Sequence, residues 1–161
     1  MTDNSPLSAV FDTGVILQAV LNIRGPAAQA LALLDEGKIR LFMSSRIRSE
    51  IEAVLYRPAI RAKNPLLTDE IILAVLNRLD TKAIRLDNPP VIVTYSRDPK
   101  DEPILNLAIY VEAEVIVSRD NDLLDLMRDG LPDGQFFRKR FPTIEILDPL
   151  TFVRKMRAER V

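Results

Sequence analysis

Five short apolar runs alternate with longer segments whose apolar residues recur at helical spacing, and few folds accommodate that alternation. Strands read at 8–12 (SAVFD), 39–43 (IRLFM), 83–86 (AIRL), 114–118 (EVIVS) and 143–147 (TIEIL). Helices fit 14–22, 26–36, 45–56, 68–80, 102–112, 121–129 and 149–159. Strand, helix and strand in succession is the pattern of parallel βαβ units, so an α/β fold on a parallel sheet is expected. Local residues support several boundaries. Gly25-Pro26 places proline at a helix start, Gly37 ends that helix, and Thr68 is an N-cap followed by the acids Asp69 and Glu70. The stretch NPPVIVTYSRDPK reads as a loop, with the apolar run after its paired prolines a candidate extra strand.

A chain of 161 residues, 47% of them hydrophobic, fills one core, and a single domain over 1–161 is expected. No apolar run approaches the roughly 18 residues of a membrane span, and the start MTDNSPLS lacks the positive flank of a secretory signal, so a cytoplasmic protein without membrane contact is expected. With no cysteine and no histidine, disulfides, thiolate zinc sites, a cysteine nucleophile and the usual serine triad are excluded. The five glycines are scattered singly, which leaves no phosphate-cradling loop. Oxygen ligands remain, and these favour Mg²⁺ or Mn²⁺ over zinc.

Acids gather where the strands end: Asp12 in AVFDTG, Asp98 and Asp101 in SRDPKDEPI, Asp120 and Asp122 in VIVSRDNDLL. Carboxylates brought within a few ångströms repel unless a proton or cation intervenes, so a fold that collects them points to a metal site. Taken singly, Asp12, Asp101 and Asp122 serve as helix caps. Taken together, three acidic junctions, two of them paired, exceed what caps require, and Asp98 and Asp120 have no capping duty if Asp101 and Asp122 perform it. Parallel strands end on one edge of a sheet, the edge where open α/β sheets bind ligands, so Asp12, Asp101 and Asp120 converge there if their strands are neighbours. Glu50, in SSRIRSEIEAVL, borders the apolar stripe of Ile47, Ile51, Val54 and Leu55; it either reaches that cleft or marks the edge of the solvated face. Glu52 points further away.

The net charge of −1 hides three basic stretches, at Arg46, Arg48, Arg57, Arg61 and Lys63, at Arg138, Lys139 and Arg140, and at Arg154, Lys155, Arg157 and Arg160. They are either solvated faces or a phosphate-binding rim around the acids.

With these residues in view, the chain resembles the PIN-domain ribonucleases, and most of all the subgroup that serves as toxins of toxin-antitoxin systems. The matching segments are VFDTGVILQAV, SSRIRSEIEAVLYRP, RDPKDEPILNLAI and VEAEVIVSRDNDLLDL, in the family's order, with IEILDPLTFVRKM like its closing strand and helix. The resemblance implies a three-layer α/β/α sandwich whose acidic pocket holds Mg²⁺ or Mn²⁺ and cuts single-stranded RNA, leaving 5′-phosphate and 3′-hydroxyl ends. Position by position, Asp12, Glu50, Asp101 and Asp120 match the four metal-binding catalytic acids. Asp122 is an additional metal ligand, and Thr13, Asp98 and Ser118 are auxiliary positions. Arg46, Arg48 and Arg119 are expected to contact RNA phosphates. Partners implied are RNA, a cognate antitoxin protein and a second copy of the chain in a homodimer. One departure stands out: similar sequences read Asp-Thr-Asn where this chain has Asp12, Thr13 and Gly14.

Two rival readings remain open. A haloacid-dehalogenase-like phosphatase also carries an aspartate after its first strand, but it needs a second aspartate where Gly14 stands. A PIN-like domain that binds RNA or a partner without cutting fits Gly14; metal-dependent cleavage separates it from the nuclease.

Overall fold

The computed structural model describes residues 4–159, so Arg160, placed above in the third basic stretch, and the first three residues of MTDNSPLS lie outside it. Five strands, β1 (Leu7–Phe11), β2 (Ile39–Ser44), β3 (Ile84–Leu86), β4 (Val115–Val117) and β5 (Glu145–Leu147), form one sheet of order β3-β2-β1-β4-β5. Every pairing is parallel. Consecutive residues Ala9, Val10 and Phe11 are all buried, which a strand achieves only when both faces of its sheet are covered.

The cover follows from connectivity. Between β1 and β2 run α1 (Thr13–Leu21) and α2 (Pro26–Asp35), and α2 packs on β2. Between β3 and β4 runs α6 (Glu102–Tyr110), which lies against β1 and β2. These two crossovers step in opposite directions along the sheet, so right-handedness puts their helices on opposite faces. The result is a three-layer α/β/α sandwich. The closing helix α9 (Pro149–Ala158) packs on α2, and its Phe152 meets Phe11 of β1 edge to face, with ring centroids 6.0 Å apart.

Helix ends form where the sequence places them. Gly25 precedes Pro26 at the start of α2, and Gly37, at φ +70, ends it: Lys38 N–H reaches Leu33 O at 2.9 Å and Gly37 N–H reaches Leu34 O at 3.2 Å. Thr68 accepts from Ile71 N–H at the start of α5 (Asp69–Lys82). The helix expected over 121–129 is shorter. It stops as α7 (Asn121–Leu124), continues as a 3₁₀ turn over Asp125–Met127, and gives way to extended backbone at Arg128. Two helices arise that periodicity does not show, α4 (Pro58–Lys63) and α8 (Pro132–Arg140). The first buries no residue and the second carries three basic residues in its last turn, so neither has an apolar stripe to read. The remaining helix, α3 (Ser45–Leu55), buries Ile47, Ile51 and Leu55, while Val54 is only half-buried.

The candidate strand after Pro89-Pro90 is not a strand. A side chain takes the place of its ladder: Asn106 of α6, nearly fully buried, accepts from the N–H groups of Ile92 and Val93 at 2.9 and 2.8 Å, and donates to Val93 O at 3.1 Å. Asn106→Leu strands all three backbone groups, and an unsatisfied buried group costs about 1–3 kcal/mol. We expect a lower midpoint in urea together with faster hydrogen exchange at Ile92 and Val93. Unchanged exchange there would show that the amide does not hold the loop.

Candidate active site

The sheet order reverses direction at β1 and β4, and the connections leaving their carboxyl ends diverge there, which opens a cleft. The cleft, of about 340 Å³, is lined by Asp12, Glu50, Asp98, Asp101 and Asp120, with the cations Lys100 and Arg119 also on its walls. A partly different grouping places ligand oxygens of Asp98, Asp101, Asp120 and Asp122 within 4.8 Å of one another. Asp98, Asp101 and Asp120 belong to both.

Each acid is held by its own local structure. Asp12 follows β1 in extended conformation and caps α1, its Oδ1 accepting from Gly14 N–H at 3.4 Å. Its Oδ2 accepts from the Ser118 hydroxyl at 2.7 Å, and the same hydroxyl accepts from Asp120 N–H at 2.9 Å. Ser118, fully buried at the end of β4, therefore ties the first acid to the turn that carries the last. Thr13 donates its hydroxyl to Glu50 Oε2 at 3.3 Å, which links α1 to the exposed acid of α3.

The expected division between capping and free acids is reversed. Asp98 caps the 3₁₀ turn Pro99–Asp101 through Lys100 N–H at 3.1 Å, and Asp120 caps α7 through Asp122 N–H at 2.9 Å. Asp101, at the head of α6, makes no side-chain cap, because the 3₁₀ turn leaves its backbone helical (φ −87, ψ −10) where a capping residue needs an extended one. Asp122 is engaged by Arg97 Nε at 2.8 Å, a partner that the sequence reading missed.

Asp101 is the group under most stress. It is 5% exposed, and its Oδ2 is buried without any hydrogen-bond partner. Burial first, and then the negative charges of Asp120 and Asp98, push its carboxyl from an ordinary 3.8 up to about 8. Burial also raises Asp12, against the opposing pull of the Ser118 hydrogen bond. A buried carboxylate oxygen without a donor, facing further carboxylates, is satisfied by a proton or by a cation. Oxygen-only donors at this spacing fit a hard divalent ion such as Mg²⁺ or Mn²⁺.

The expected arginines separate. Arg119 lines the cleft. Arg46 lines a neighbouring cavity of about 430 Å³ beside the loop at Asn88 and Pro89. Arg48 is turned away from the acids: its Nε and Nη2 bond the two oxygens of Asp80 at 2.7 and 2.9 Å, and its Nη1 bonds Glu52 at 2.8 Å, so it joins α3 to α5. The stretch at 138–140 serves α8, where Arg138 donates to Leu126 O and Arg128 O and Arg140 stacks over Phe136 and Phe141. Lys100 was not anticipated, although its place between Asp98 and Asp101 was a usable signal.

Gly14 sits in the first turn of α1 with nothing within 4 Å of where a Cβ would stand. Gly14→Asn should therefore be tolerated, and it should raise stability by roughly a few tenths of a kcal/mol, the gap between glycine and asparagine in helix propensity. A fall in melting temperature would overturn this.

Comparison with known proteins agrees with the geometry. A protein of Methanocaldococcus jannaschii described as uncharacterized is 29% identical over 120 residues, which cover 74% of this chain and 75% of that protein. Residues 8–122 match the PIN domain, and that span runs from β1 through the acids at 120 and 122. PIN domains are typically nucleases that depend on divalent metal, which accords with a parallel sheet whose carboxyl edge gathers acids around one unsatisfied buried oxygen. On fold, site and sequence together, the chain belongs to the PIN-domain family.

Proposed function

We propose that the protein is a metal-dependent endoribonuclease acting on single-stranded RNA. The observation that carries this is the unpartnered Oδ2 of Asp101, buried among acids at the switch point of the sheet. Asp12, Glu50, Asp101 and Asp120 would hold the ion, with Asp98 at the edge and Asp122 tempered by Arg97. A bound Mg²⁺ or Mn²⁺ supplies Lewis acidity toward a phosphoryl oxygen and lowers the pKa of a nearby water.

The chain's own groups do the rest. Lys100 and Arg119 stand on the walls of the cleft and place the scissile phosphate against the acids, offsetting the repulsion between phosphodiester and carboxylates. The Ser118 hydroxyl fixes the rotamer of Asp12. Glu50 keeps one oxygen free of Thr13 and faces solvent, so it accepts the proton of the attacking water at Oε1. No covalent intermediate is required. A narrow cleft suits an unpaired strand better than a duplex.

The toxin role rests on the ordered resemblance of its segments to that subgroup. Exposed Leu66 and Leu73 beside α5 offer apolar surface to an antitoxin or to a second copy. The deciding experiment incubates purified protein with a pool of single-stranded RNA in Mg²⁺, in Mn²⁺ and in chelator. Cuts that appear only with metal support the nuclease; binding without cutting would favour the non-catalytic reading. Growth arrest on expression, relieved by the product of a neighbouring gene, tests the toxin role.

A further inference from the structure

A further cavity, of about 330 Å³, opens beside the acid cleft, between the end of α1, the start of α2 and the start of α9. Arg119 lines both spaces. It is exposed and makes no ion pair or hydrogen bond with another described residue, so its guanidinium is free to serve either side.

The chemistry of this cavity is the opposite of the cleft's. Its one carboxylate, Asp148, is occupied: Oδ1 accepts from Thr151 N–H at 2.9 Å and Oδ2 from the Thr151 hydroxyl at 2.7 Å. Leu124, Pro149 and Leu150 give it apolar walls. Gln18 contributes a side-chain amide with no partner among the described residues, able both to donate and to accept. The start of α2 adds backbone donors, because Gly25 at its N-cap has no side chain to close them. An occupant should therefore be apolar where it meets Leu124, Pro149 and Leu150, polar at its edge, and joined to something anionic that reaches Arg119. A nucleobase and its backbone phosphate meet all of these conditions, and bases of unpaired RNA are commonly splayed out against apolar side chains and guanidinium planes.

We propose that this cavity is a nucleobase subsite, which takes one unstacked base of the substrate strand next to the cut while Arg119 holds the intervening phosphate. This rests on the ribonuclease reading above. The subsite biases where the enzyme cuts, since the scissile phosphate is placed by a base at a fixed distance from it.

The test uses the whole protein and a single-stranded RNA oligonucleotide cut at one position. Replacing each flanking base in turn by an abasic residue should slow cleavage at one flanking position by roughly tenfold or more, the scale of one lost base contact. Leu150→Trp, which fills the cavity from a half-exposed wall position, should slow the intact RNA to the abasic level, and the abasic substitution should then add little. Gln18→Ala should weaken the preference for that base while leaving cleavage of the abasic RNA unchanged. If every abasic oligonucleotide is cut as fast as the intact one, the subsite is overturned and the nuclease stands. If no RNA is cut with either metal, the nuclease reading falls, and the cavity is judged by titration with nucleoside monophosphates. Saturating amide shifts at Gln18, Ala27 and Leu150 support the base site in that case, and their absence overturns it.

Discussion

Asp101→Asn should lower metal-dependent RNA cleavage by more than about a hundredfold, beyond the loss typical of outer-shell partners of a metal, while the metal-free protein melts no lower than the unmutated one. The two halves of this expectation share one cause. Asp101 is buried beside Asp120 and Asp98 with an oxygen that no donor reaches. Asparagine removes the charge that the cation needs, and it removes the cost that the metal-free site bears at Asp101, either repulsion or the uptake of a proton. A cap would behave differently, since asparagine caps about as well as aspartate and would leave activity intact. Cleavage that survives in chelator, or an Asp101→Asn protein that cuts normally, would defeat the assignment.

The second large effect is a linkage between proton, metal and stability. In the folded protein Asp101 keeps its proton up to about pH 8, whereas in the unfolded chain it releases it near 3.8. Between those values the folded state binds more protons, so this group makes the metal-free protein lose stability as pH rises through the window. Metal must displace that proton, so its affinity climbs over the same range. At ten times its dissociation constant a bound ion stabilises by about 1.4 kcal/mol, which is roughly 3–6 °C in melting temperature. We expect the shift with Mg²⁺ at fixed concentration to be larger at pH 8 than at pH 6, and to be largely lost in Asp101→Asn. Equal shifts at both pH values, or in both proteins, would separate the metal from this carboxyl.

The five strands are legible in the sequence as short apolar runs; most are buried by the core, Ala9, Val10 and Phe11 being the doubly covered case, whereas the edge strand β3 leaves Ile84 and Arg85 exposed. Helices without an apolar stripe are not legible, and α4 and α8 show why: burial leaves no periodic mark on them. Within the site, the acids stand out by residue type, but their division of labour does not. Whether an aspartate caps depends on its backbone, and nothing local in RDPKDEP announces that Pro99–Asp101 tightens into a 3₁₀ turn and carries Asp101 out of capping geometry. Arg48 fails differently. It lies near Glu50 in sequence, yet its helix face turns it toward Asp80, thirty-two residues away, a relation that only the packing of α3 on α5 creates. The run after Pro89-Pro90 has strand composition, and only the buried amide of Asn106 decides against a strand.

The pairing of β1 with β4 has a consequence in time. Asp12 and Glu50 belong to the first third of the chain, whereas Asp101, Ser118 and Asp120 all come from beyond residue 100. Domains emerge from synthesis with the N-terminal part first. A chain still being made can thus assemble β1, α1, β2 and α3 with two of its acids in hand and still lack the rest of the site. The acid cluster is complete only when β4 slots in beside β1, after most of the protein exists. On the ribonuclease reading proposed above, the substrate class would include the very message being translated; the order of strands would then act as a delay, and a fragment released early from the ribosome would be harmless.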